Sequence, residues 1–158
     1  MAEKTERELA QTNIAENRKA FHDYHILDEW EAGVVLLGTE VKSIREGRVN
    51  LRDSYAQINK GEVWLCNVNV SAYSHRGYAD HEPMRQRKLL MRRDEIRKLI
   101  GKTTEKGMTL VPLRMYFKKG RVKVVVGLAR GKKDYDKRET IKRREADRET
   151  RAAIKSRR

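Results

Sequence analysis

MTLVPLRMYFKKGRVKVVVGLA, residues 108–129, divides at Lys119-Gly120 into two β-rich segments. β-Branched and aromatic side chains suit a pleated, half-buried surface, and the two central residues tolerate the positive φ of a tight hairpin. In the second segment Val122, Val124, Val126 and Leu128 recur at period two and share one face, with Lys123 on the other. Pro112 has no N–H to give a ladder, so its part of the first segment belongs at an edge or a bulge.

The same pattern extends upstream. DSYAQI and EVWLCNVNV are joined through Asn59, Lys60 and Gly61, a second tight hairpin, and Trp64, Cys66, Val68 and Val70 alternate onto one buried face. Phe21 to Gly38 reads as one long strand bent near Gly33. GTEVKSIREG after it reads as a short helix, capped by Thr39 and stopped at Gly47. RKLLMRR predicts a strand and DEIRKLIGK a helix, with Asp94 as its cap and Ile96, Leu99 and Ile100 inward. Residues 71–86 carry Gly77 and Pro83 without apolar periodicity and form a long surface loop.

About five to six antiparallel strands with short peripheral helices predict a mainly β fold, a small antiparallel barrel of the oligonucleotide-binding (OB) type. A general sandwich is the alternative. The expected division is a flexible segment 1–18, a barrel 19–130 and a basic tail 131–158.

Charge points to the partner. Lys and Arg number 37 against 23 acidic residues, a net +14, which favours a polyanion such as nucleic acid over a membrane surface. Residues 130–158 hold 13 basic and 6 acidic side chains, half of that excess. No apolar run approaches the roughly 20 residues of a membrane span, and the N-terminus shows no hydrophobic signal segment. The single cysteine, Cys66, excludes an internal disulfide framework and a cysteine-rich zinc site and suits a reducing cytoplasm.

Chemical motifs are few. Gly101-Lys102-Thr103 resembles the end of a phosphate-binding loop, but the position of that motif's first glycine is Ile96 and the preceding segment is helical, so it reads as a helix C-terminus. His22, His25, His75 and His81, with Asp23 and Asp80, lack metal-ligand spacing. No metal, no cofactor and no catalytic residue is expected. Asp23, Asp28, Glu29 and Glu31 are the only dense acidic group, the minimum a nucleic-acid-processing enzyme would need. Glu31 is either a solvated strand carboxylate or a functional one, and Lys123 is placed to meet phosphate.

EAGVVLLGTEVKSIREGRVNLRDSY (Glu31 to Tyr55), RKLL (Arg87 to Leu90), KVVVGLARGKK (Lys123 to Lys133) and DKRETIKRRE (Asp136 to Glu145) resemble, in order and spacing, the blocks of the small protein B (SmpB, SsrA-binding protein) family of bacteria. The resemblance runs from about Asn13 to Glu145 and is weakest over residues 71–86. It implies an OB-type barrel without enzymatic activity. Such a protein binds the tRNA-like portion of transfer-messenger RNA, promotes its charging with alanine, and delivers it to ribosomes stalled without a usable stop codon. It implies RNA contact at Glu31, Leu90 and Lys123, and at Asn17, Arg18, His22 and Tyr24. It assigns to the ribosome the tail residues Gly131, Lys132, Lys133, Tyr135, Asp136, Lys137, Arg138 and Ile141. Tyr135 stands where relatives have histidine. A monomer in a 1:1 RNA complex is expected; a general ribosomal or tRNA-binding OB protein is the alternative.

In the tail, Asp134 and Arg138, Glu139 and Arg143, and Asp147 and Arg151 are acid-before-base pairs four apart, each worth about 0.2–0.5 kcal/mol in a helix. Ile141, Ile154 and scattered alanines make no broad apolar stripe. A tail disordered when free and helical on a charged surface follows. The family mechanism supplies such a surface in the decoding centre and in the mRNA channel of the small subunit, left empty when a message ends early.

Overall fold

The computed structural model describes residues 11–73 and 81–156, apart from the side chains at 11, 12, 134 and 135. The described elements run β1 (Gln11–Glu16), α1 (Arg18–Asp23), β2 (Tyr24–Val34), α2 (Gly38–Arg45), β3 (Val49–Asn50), β4 (Tyr55–Asn59) and β5 (Glu62–Cys66). There follow β6 (Asn69–Val70), β7 (Arg87–Leu90), α3 (Arg93–Thr103), β8 (Met108–Lys118), β9 (Arg121–Gly131) and α4 (Asp134–Ser156).

β8, β4, β5, β7, β2 and β9 pair in that order, all antiparallel, and β9 returns to β8, so six strands close a barrel. The small OB-type barrel expected from the alternation is the observed architecture. Both hairpins form where Lys60-Gly61 and Lys119-Gly120 take positive φ, 51° and 73° in one and 50° and 74° in the other, the twist that suits two-residue connections. Pro112 sits at a register shift between β8 and β9, as its missing N–H requires.

The core is filled from all sides. Val122, Val124, Val126 and Leu128 face inward with Val63, Leu65, Leu89 and Leu110, and Leu99 of α3 and Ile44 of α2 join the same cluster. β9 is buried on its other face as well: Val125 and Ala129 pack with Val111, Leu113 and Tyr116 beneath Ala20 of α1. Gly127 permits this, since a Cβ there would fall 2.8 Å from Leu113 Cδ1.

Several expectations are corrected. Residues 11–16 are a strand on β8, from Gln11 opposite Lys118 to Glu16 opposite Arg114, and the backbone N–H of Asn17 donates to the Leu113 carbonyl at 2.8 Å. The long strand expected from Phe21 begins at Tyr24, because Asn17 caps α1 over Arg18–Asp23 and Ala20 buries against the outer cluster. In β5 the inward residues are Val63 and Leu65 rather than Trp64, and Asn67 at φ 60° resets the phase so that Cys66, Val68 and Val70 are all buried. α2 begins one residue before Thr39, with the Glu40 carboxylate accepting from the Leu37 N–H. Its end is a Schellman motif: Gly47 N–H to Ile44 O and Arg48 N–H to Ser43 O. The N-cap of α3 is Arg92, not Asp94, and Ile100 is 41% exposed. Residues 74–80 of the expected loop lie outside the described residues.

The fold also holds a charge cluster that periodicity does not reveal. Arg87, 1% exposed, bonds Glu40 from the barrel wall and donates to the Val68 carbonyl at 2.8 Å and the Pro83 carbonyl at 3.1 Å. Arg85 adds a second bond to Glu40. Burial alone would raise the Glu40 pKa, but the two guanidinium groups and the Leu37 N–H outweigh it and hold the carboxyl below its usual range.

Candidate nucleic-acid interface

Strand register assembles the site. Leu90 at the end of β7 stands opposite Gly33 of β2, Gly33 opposite Lys123 of β9, and Lys123 opposite Tyr116 of β8. Leu89, Ala32, Val124 and Met115 alternate with these into the core, so Leu90, Gly33, Lys123 and Tyr116 share the outer face of the barrel wall, Tyr116 beneath the outer cluster. Glu31, two residues before Gly33, shares that face.

Gly33 has a steric role. A Cβ at this position would lie 3.3 Å from Leu90 Cβ and 3.7 Å from Lys123 Nζ. With no side chain between them, the leucine and the ammonium close over bare backbone. Leu90 is 54% exposed, an apolar platform beside a cation.

Glu31 is held by its neighbours. The Tyr116 hydroxyl donates to Oε2, and Lys118 Nζ lies 3.3 Å from both carboxylate oxygens. Partial burial pushes the Glu31 pKa upward, and the bonds from Tyr116 and Lys118, with the charge of Lys123, reverse that and leave it lowered. Tyr116 is 3% exposed, and burial together with the carboxylate drives its hydroxyl pKa well up, so it stays a donor. The Arg114 guanidinium lies 6.0 Å from the Tyr116 ring centre. A fixed anionic acceptor, an apolar platform and a ring of cations can together contact an unstacked base, a ribose hydroxyl and a phosphate.

α1 forms a second group. The carboxamide of Asn17 is buried and committed: Nδ2 donates to the Pro112 carbonyl at 2.9 Å and Oδ1 accepts from the Ala20 N–H at 3.2 Å. It therefore positions α1 rather than presenting a free edge. Arg18 is exposed, His22 Nδ1 lies 2.8 Å from an Asp23 oxygen, and Tyr24 is half-buried against the outer cluster.

The tail is rooted on this helix. Gly131 pairs with Tyr24, and the Lys132 N–H donates to the Asp23 carbonyl at 2.8 Å. Lys132 Nζ reaches the Phe21 carbonyl at 3.0 Å and Thr140 Oγ1 at 2.8 Å. Asp136 lies 3.3 Å from His25, and Lys137 3.9 Å from Asp23. Lys133, Arg138 and Ile141 are exposed. The side chain of Tyr135 is outside the described residues. The tail is helical from Asp134 to Ser156, and its start is tied to Phe21, Asp23 and His25.

Gly101 to Thr103 is the last turn of α3, and Lys102 binds Asp28 at 3.0 Å and lies 5.2 Å from the Trp30 ring. His81 is a packing residue between Thr39 and the Val70 carbonyl, and His75 lies outside the described residues. Sequence reading missed Gly33, Tyr116, Lys118 and Arg114. Counting back from the Lys119-Gly120 hairpin would have placed Tyr116 opposite Lys123.

The family model for SmpB protein matches residues 14–156. The chain belongs to the SmpB protein family. Among SmpB relatives, it is 60% identical over 136 residues to an SsrA-binding protein of Syntrophobacter fumaroxidans, covering 86% of this chain and 84% of that one. It is 60% identical over 144 residues to an SsrA-binding protein of Carboxydothermus hydrogenoformans, covering 91% and 97%. A solved SmpB chain, described with the words "tmRNA-SmpB: a journey to the center of the bacterial ribosome", matches with a TM-score of 0.65 and 50% identity over 76% of this chain and 85% of its own. The SmpB match spans both the barrel row and the tail helix.

Proposed function

We propose that this protein acts in trans-translation: it binds the tRNA-like domain of transfer-messenger RNA and carries it to ribosomes stalled on messages without a stop codon. The observation that carries the RNA-binding part is the outer row Leu90, Gly33, Lys123 beside a Glu31 carboxylate fixed by Tyr116 and Lys118. A folded RNA elbow offers the unstacked bases and close phosphates such a row recognises. The tail, with Lys133, Arg138 and Ile141 outward, is suited to the small-subunit decoding centre and an mRNA channel left empty. An intact message would occupy the same space and exclude the tail.

The protein works by binding and not by catalysis. The acidic residues of the Asp23 to Glu31 region are dispersed: Asp23 pairs with His22 and Lys137, Asp28 with Lys102, and Glu31 with Lys118. No helix among the described residues is long and apolar enough to cross a membrane, and a cytoplasmic monomer in a 1:1 RNA complex is the working state.

The test is affinity for the tRNA-like domain against ordinary tRNA and random duplex over a salt series. A selective complex keeps its preference as salt rises, whereas phosphate contact alone loses affinity steeply and equally for all three. Equal affinities throughout would favour a general RNA-binding role. Ending the chain at Arg130 should preserve binding to transfer-messenger RNA and abolish peptide tagging on stalled ribosomes.

A further inference from the structure

The outer surface of the barrel continues past Leu90 in the direction away from Glu31. Lys88 alternates with Leu89 and shares the outward face of β7 with Leu90; Trp64 of β5 stands directly opposite Lys88, and Gln57 of β4 directly opposite Trp64. Ala56, Val63, Leu65, Arg87 and Leu89, which alternate with these three, are buried, so the row Gln57, Trp64, Lys88 faces outward; Cys66, two residues past Trp64 at the end of β5, is buried as well. Trp64 is half-buried yet is not among the described side chains packed on either hydrophobic cluster. A tryptophan that serves no core on an outward sheet face calls for another partner.

We propose that Trp64 is a base-stacking platform and that the RNA surface runs from Glu31 and Leu90 over β7 and β5, with Trp64 taking an unstacked base, Lys88 its phosphate and Gln57 its edge. Three features favour RNA over a protein partner. Trp64 and Leu90 are diagonal neighbours across β5 and β7, about 7–8 Å apart between Cα atoms, so the new row is continuous with the proposed interface. Aromatic, cationic and carboxamide groups side by side are the set that contacts single-stranded nucleotides. Lys88 is only loosely committed: its ammonium lies 3.1 Å from Glu62 in an exposed pair, which a phosphate can displace. Stacking is tolerant of base identity, so this part of the surface adds affinity while Gln57 adds selectivity.

The inference rests on the RNA-binding reading, and the test separates the two. Binding of the full chain to a transcript of the tRNA-like domain is measured for wild type, Trp64→Phe, Trp64→Leu, Lys88→Gln and Glu31→Ala, each with its thermal midpoint. Trp64→Leu should weaken binding roughly 5- to 100-fold, the span typical of one lost stacking contact. Trp64→Phe should stay near wild type, and Lys88→Gln should reduce the salt slope by about one phosphate contact. Leucine keeps apolar cover without a ring, so a loss with leucine and not phenylalanine, at an unchanged midpoint, is the loss of the ring's stacking. Wild-type affinity for Trp64→Leu, with Glu31→Ala still weakened, overturns the stacking role alone and leaves this face to a protein. Equal losses for phenylalanine and leucine with a matching fall in midpoint also overturn it. Failure of wild type to bind overturns the RNA-binding reading itself.

Discussion

Replacing Tyr116 by phenylalanine would test whether Glu31 is positioned or merely present. The ring is nearly fully buried in the outer cluster and the substitution keeps it, so the change is confined to the hydroxyl that donates to Glu31 Oε2. A hydrogen bond to a charged group contributes about 1.5–3 kcal/mol. Here the carboxylate is 37% exposed and retains Lys118 at 3.3 Å, so solvent and the remaining cation reduce the expected stability loss to about 1 kcal/mol. Affinity for the tRNA-like RNA should fall by up to roughly fivefold, because binding must then re-order the carboxylate at a cost bounded by about 1 kcal/mol. A second readout is the titration of Glu31 followed by carboxyl carbon chemical shift. Its pKa is lowered in the folded protein, so its contribution is present above the unfolded value and is lost as pH falls through the folded one. In the variant the folded pKa moves up, so the carboxyl protonates earlier as pH drops and weakening of RNA binding sets in at higher pH. Unchanged affinity and unchanged Glu31 titration in Tyr116→Phe, with Glu31→Gln still impaired, would refute positioning by the tyrosine.

Gly33→Ala should weaken RNA binding more than it lowers the melting point, because its Cβ would meet Leu90 at 3.3 Å and spread the leucine from Lys123; melting and binding measured together decide this. Glu40→Ala should cost about 3–5 kcal/mol by leaving Arg87 buried and unpaired, read by urea unfolding. Because the folded pKa of Glu40 is lowered, the stability it adds fades as pH falls through that value, and Glu40→Gln should remove this part of the acid dependence. Lys132→Met should loosen the start of α4, since the Phe21 and Thr140 bonds are lost, and faster amide exchange over residues 134–141 with the barrel unchanged would register it.

The barrel is legible wherever an apolar period of two meets a turn that needs positive φ: β8–β9 and β4–β5 follow from Lys119-Gly120 and Lys60-Gly61. The misreadings share a cause. α1 is six residues long, too short for a helical period to register, and its reason for existing is Ala20 against Val111 and Leu113, a contact distant in sequence. Trp64 was assigned inward because an alternation carried through Asn67 ignores the reversal of phase at a left-handed residue. Glu40 and Arg87 look like surface charges until the fold brings them together. Glu31, Leu90 and Lys123 were nameable by resemblance, but their juxtaposition is a matter of register, which only closure of six strands supplies.

That closure also explains why one small helix touches both halves of the molecule. α1 lies on the outer face of β8 and β9, over the cluster that includes Tyr116 and therefore the support of Glu31. Its last turn accepts Lys132 and faces Lys137, the first anchors of the tail. The direction in which α4 leaves the barrel is thus set by the element carrying Arg18 and His22, not by a free linker. Asp23 is shared by the Lys137 side chain, at 3.9 Å from its carboxylate, and the Lys132 N–H, which donates to its carbonyl, so the start of the tail is physically linked to α1. A flexible tether would search every direction; a tail anchored through Lys132 to Phe21 and Thr140 leaves the barrel in a direction set by α1.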